Sequence, residues 1–74
     1  MTRYANRGGY SNVFSYEIGK DYIDVVFNGG AAYRYSLASV GASNLQTMIE
    51  LAQAGEGLNS FINRNVKKLY EARL

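Results

Sequence analysis

Residues Tyr22–Asn28 constrain the fold more than any other stretch of the chain. Ile23, Val25 and Phe27 alternate with Tyr22, Asp24, Val26 and Asn28. A period of two in a run rich in β-branched and aromatic residues is a strand with one face turned to a core. Turn chemistry bounds it on both sides. Gly19-Lys20-Asp21 precedes it and Asn28-Gly29-Gly30 follows it, each short enough for a hairpin connection. Gly19 is expected to supply a positive φ in the first of these. The neighbours must then come from adjacent sequence, Asn12–Ile18 on one side and Ala31–Ser36 on the other. Two tight connections in succession make an antiparallel meander.

Beyond Ser36 the apolar period moves toward 3.6. Ser43 and Gln46 form a capping-box pattern. Leu45, Met48, Ile49 and Ala52 follow as a helical stripe, and Gly55 suits a left-handed cap. After the Gly55-Glu56-Gly57 loop a second helix is predicted from Asn59, with Phe61, Ile62, Val66, Leu69 and Tyr70 on its apolar face. The predicted fold is α+β: a three-stranded antiparallel β-meander followed by two α-helices packed on one face, the economical way to bury both apolar surfaces. Residues 1–10 read as an irregular, polar lead-in, since chain ends of this kind are often poorly ordered. Residues 11–74 read as one βββαα domain.

Composition narrows the chemistry. With 74 residues and no cysteine, histidine or proline, there is one thin core and no disulfide framework. The usual zinc ligands are missing, as are the commonest general base and the Ser-His and Cys-His nucleophile systems. The chain therefore reads as a non-enzymatic binding module, and no cofactor or metal is expected. No apolar run approaches the ~20 residues of a membrane helix, so no membrane partner is expected and the predicted location is cytoplasmic.

Three groups of residues are candidates for contact with a ligand. Tyr33 and Tyr35 share a strand face. They form a stacking platform for unpaired bases if that face is open, or pack beneath the helices with their hydroxyls at the edge. A thin domain without tryptophan needs large core residues, which favours the second arrangement. Arg34 points to the opposite face, together with Tyr22. Arg64, Lys67 and Lys68, at helical spacings of three and four, make a ridge able to contact phosphates or a solvated face near a helix C-terminus. Asn59 and Asn63 are read as turn and cap residues. Glu17 and Asp24 are placed opposite each other across the first hairpin, as an exposed polar strand face rather than a metal or hydrolase site.

Asn12-Val13 leading to Ile18-Gly19, then Val25-Val26-Phe27, Gly30, Tyr33-Arg34-Tyr35, and Gly57 with Phe61-Ile62-Asn63 resemble the KTSC domain. That family is named after a C-terminal extension of some lysyl-tRNA synthetases and also occurs as small stand-alone bacterial and phage proteins. The resemblance spans about residues 11–68. The chain departs from the family in lacking a proline after the third strand, in having Ala54-Gly55-Glu56-Gly57 where Ser-x-Gly is common, and in an Asn12–Gly19 segment one residue longer. The resemblance implies an RNA-binding role. Two expectations follow. One is a module for RNA or single-stranded nucleic acid, using Arg34, Arg64, Lys67 and Lys68 on phosphates and Tyr22, Tyr33 and Tyr35 on bases. The other is a protein-interaction module, docking on a larger complex or pairing as a homodimer through a sheet edge. It would use exposed tyrosines (Tyr4, Tyr10, Tyr16 and Tyr22) and the lead-in arginines Arg3 and Arg7.

Overall fold

The alternating run forms the central strand of an antiparallel sheet in the computed structural model, which describes residues 1–74. In chain order the elements are β1 (Thr2–Arg3), β2 (Val13–Ile18), β3 (Tyr22–Phe27), β4 (Ala32–Ser36), α1 (Leu37–Val40), α2 (Ala42–Ala54), α3 (Leu58–Phe61), a π-helical stretch (Ile62–Val66) and β5 (Ala72–Arg73). The strands lie side by side in chain order, β1 to β5. The expected meander is the middle of this sheet, β2–β3–β4, within a residue at each boundary.

Register sorts the side chains onto two faces. Ile23 pairs with Ile18 and Tyr35, and Val25 with Tyr16 and Tyr33. These residues face the helices, and Ile23 and Val25 are fully buried. The opposite face carries Glu17, Asp24 and Arg34 in one cross-strand row. The pairing shifts between Val13 and Ser15, a bulge that lets Val13 and Tyr16, three residues apart, both enter the core. Phe14 is pushed outward by it and the Arg3 guanidinium lies 4.2 Å from its ring centroid. Tyr16 is thereby a core residue, not an exposed one.

Both open edges of the meander are covered by the chain ends. The unpaired backbone of an edge strand is a ready template, and Thr2–Arg3 takes the β2 edge while Ala72–Arg73 takes the β4 edge. The lead-in is accordingly built into the fold. Tyr4 is buried, and its hydroxyl accepts the Leu58 N–H at 3.3 Å. Arg7 donates from its backbone N–H to Gly55 O and from Nε to Ala54 O, satisfying carbonyls that the end of α2 leaves free. Tyr4 and Arg7 thus serve the core and a helix end rather than an exposed contact surface.

The helices depart from expectation in their starts. The reciprocal cap sits at Ser36 and Ser39, which exchange side-chain and backbone hydrogen bonds at 3.0 and 3.2 Å. The chain therefore turns into α1 directly off β4, and Gly41 (φ 87°) joins α1 to α2, capping it two residues ahead of the predicted Ser43. Leu45, Met48 and Ala52 are buried as predicted, and Gly55 is left-handed at φ 78°. The predicted second helix begins at Leu58 after Gly57 (φ 83°), not with Asn59 as its cap. It widens into the π-helix and stops after Val66. Leu69 and Tyr70 then lie on the path to β5 and are half-exposed instead of forming a helix face.

Gly19 is needed for a different reason from the one predicted. It has no positive φ. Instead, the Tyr22 ring lies where its Cβ would be.

Candidate functional site

The candidate residues divide between the two sheet faces. On the face away from the helices, Arg34 and Tyr22 meet. The Arg34 guanidinium lies 4.0 Å from the Tyr22 ring centroid and grips Asp24 in a two-pronged pair, Nε to Oδ1 at 2.7 Å and Nη2 to Oδ2 at 2.9 Å. Asp24 is only 5% exposed. Its hydrogen bond is the main reason that Arg34 holds its proton more firmly than usual, against the opposing effect of burial. The Arg34 charge is thus already neutralised by a bidentate carboxylate, and the Tyr22 ring is occupied by Gly19 and Arg34. Neither is placed as a free phosphate or base contact. Glu17 does stand opposite Asp24 in register, but the two carboxylates do not form a joint site, because Arg34 holds both Asp24 oxygens.

On the helix face a groove of about 380 Å³ opens between β4, the π-helix and the segment leading to β5. Its walls are aromatic: Phe27, Tyr33 and Tyr70, with Tyr35 beneath them. The Tyr33 and Tyr70 centroids are 4.7 Å apart with planes inclined at 46°. Phe27 meets Tyr33 edge-on at 6.0 Å, and Tyr70 meets Tyr35 edge-on at 6.5 Å. Tyr33 is half-buried and Tyr70 is 41% exposed, whereas Tyr35 is 1% exposed. The platform and core readings of the Tyr-x-Tyr pair therefore both apply, one to each residue. Tyr35 is core, and Tyr33 is a partly open wall.

Polar groups rim the groove. Lys67 and Lys68 line it, as do Asn12, Asn28 and Asn63, and no carboxylate does. Arg73 shares a face with Tyr33 by register, and its guanidinium lies 5.8 Å from that ring centroid. Arg64 does not join the two lysines at the groove. The ridge predicted for Arg64, Lys67 and Lys68 on one α-helix is interrupted there, because the chain is π-wound over Ile62–Val66 and the helix ends before Lys67. The groove thus collects Tyr33, Tyr35, Lys67 and Lys68 from the predicted set and leaves out Tyr22, Arg34 and Arg64.

Sequence reasoning missed Tyr70 and Asn63 as site residues. Lys67-Lys68-Leu69-Tyr70 carries the available signal, a basic pair beside an aromatic, but helical periodicity assigned Tyr70 to the core. Among the described residues no helix is long and apolar enough to cross a membrane. Compared with known proteins, the chain matches no family model, no curated protein and no solved structure.

Proposed function

We propose that this chain is a non-enzymatic module that binds single-stranded nucleic acid in the Tyr33–Tyr70 groove. The observation that carries the proposal is the juxtaposition of a partly open tyrosine pair with two lysines and no carboxylate in the lining. Aromatic faces stack on unpaired bases whatever their identity, and adjacent cations track the phosphates. A duplex offers its bases only as edges within grooves, so a single strand fits better. We read the domain as KTSC-type. Both of its distinctive elements bear on this groove, Tyr33 and Tyr35 from the Tyr-x-Tyr motif and Ile62 and Asn63 from the Phe-x-Asn stretch.

Fluorescence anisotropy against labelled single-stranded RNA, single-stranded DNA and duplex DNA over a salt series tests the proposal. Two lysine contacts predict a log–log slope of about −1.4 on a single strand, at ~0.7 per phosphate. Lys67→Ala combined with Lys68→Ala should bring the slope toward zero. Absence of binding at low salt, or an unchanged slope in the double variant, would refute it. A salt-tolerant complex with a protein, or a homodimer, would then be the better account.

A further inference from the structure

Tyr35 is a buried side chain whose polar atom has nothing to do inside the protein. The residue is 1% exposed, and it lines the floor of the groove. Its hydroxyl has no hydrogen-bond partner in the chain, in contrast to that of Tyr4, which accepts the Leu58 N–H. No buried side-chain oxygen or nitrogen is sealed without a partner, so the small accessible part of Tyr35 includes its hydroxyl, and the space it meets is the groove. Burying a hydroxyl without a partner is unfavourable, and a phenylalanine would fill the same core volume. A phenol kept at this point is a hydrogen-bonding group aimed into the groove.

The remaining polar chemistry agrees. Asn6, Asn28, Asn44 and Asn65 each hold a backbone partner. Asn12 and Asn63 line the groove and hold none, so their amides can both donate and accept. Burial, helped by Tyr33 and Tyr70, pushes the Tyr35 hydroxyl up to about 12. At any working pH it is therefore protonated, and a phenol, its oxygen lone pair drawn into the ring, is a better donor than acceptor.

We propose that the groove admits one unpaired base by its keto edge, with the Tyr35 hydroxyl donating to the base carbonyl and the Asn63 amide accepting the neighbouring ring N–H. This rests on the single-strand reading given above and specifies the ligand within it: uracil, thymine or guanine, in preference to adenine or cytosine. The keto bases carry a carbonyl beside a ring N–H, which complements a donor beside an acceptor. Adenine and cytosine present an amino group where the carbonyl would be. Against these bases the phenol would have to accept from the amino group, its weaker role, and the Asn63 amide would have to turn to donate to the ring nitrogen.

The test is anisotropy with short homopolymers, uracil against adenine and cytosine in RNA and thymine against adenine and cytosine in DNA. Wild-type protein should prefer the keto base by about tenfold, the scale of one good base-edge contact. Tyr35→Phe should equalise the affinities while leaving the salt slope and the melting temperature unchanged. Asn63→Ala should narrow the preference. Equal binding of all homopolymers by the wild type, or a preference that survives Tyr35→Phe, would overturn the base-reading role while the salt-dependent groove stands. If no homopolymer binds, the single-strand reading fails and the base-reading role fails with it.

Discussion

Two tyrosines buried in the same core should respond unequally to the loss of one oxygen atom. Tyr4 and Tyr35 are 3% and 1% exposed, and in both Tyr→Phe keeps the ring and its packing. The Tyr4 hydroxyl accepts the Leu58 backbone N–H at 3.3 Å, 54 residues away in sequence. Leu58 opens α3 after Gly57, so its N–H has no intrahelical acceptor. Tyr4→Phe deletes the partner of a buried donor, at about 1 kcal/mol given the long contact. For a domain of this size that is a fall in melting temperature of about 4–8 °C. Tyr35→Phe removes a hydroxyl that supports nothing within the chain, and its effect should be within ~0.5 kcal/mol. Thermal unfolding followed by circular dichroism, with both variants and wild type at one protein concentration, makes the comparison. Tyr4→Ala provides the upper reference, since emptying a buried aromatic site costs about 3–5 kcal/mol, most of the stability expected of so small a domain. Equal losses in the two phenylalanine variants would refute the assignment of a structural hydroxyl to one and an outward-facing one to the other. A silent Tyr4→Ala would refute the integration of the lead-in into the core.

Two further outcomes follow from the same geometry. The Tyr35 hydroxyl titrates near 12 in the folded protein and near 10 when unfolded. Because the folded value is the higher one, its contribution to stability is complete below pH 10 and is lost as pH rises from about 10 toward 12. Denaturant melts across that window should show a fall in stability that is shallower in Tyr35→Phe, and an identical fall in the variant would count against the assignment. Gly55→Ala should destabilise by more than ~1 kcal/mol, because φ is 78° and the new Cβ would lie 2.5 Å from Ala5 Cβ. A variant melting within a degree of wild type would show that the lead-in does not press on the end of α2.

The parts of the fold legible in sequence were those set by local rules. The alternation at 22–28 and the glycine-rich turn at 28–30 fixed the meander and its core face, because side-chain period and turn geometry act within a few residues. What escaped was set at long range. Thr2–Arg3 and Ala72–Arg73 are too short to show any period, and they become strands because β2 and β4 offer open edges. Tyr4 and Tyr16 look like surface residues in a polar context. Their burial depends on a bulge at Phe14 and on where α3 begins. The Arg34–Asp24 pair likewise required cross-strand register, without which Arg34 reads as a free cation.

The groove itself results from a helix that ends early. Had the second helix run on to Tyr70 at α-helical spacing, Leu69 and Tyr70 would have packed onto the sheet and closed the space over Tyr35. Instead the helix widens at Ile62–Val66 and gives way to an extended path. On that path the Glu71 N–H bonds to Arg34 O at 2.7 Å and the Leu74 N–H to Ala32 O at 2.8 Å. Those bonds commit the tail to the β4 edge, and Tyr70 is carried to the rim of the groove beside Tyr33 instead of into the core. The departure from helical periodicity and the opening above Tyr35 are therefore one event. It places Lys67 and Lys68 at the mouth of the groove and leaves the Tyr35 phenol as its floor.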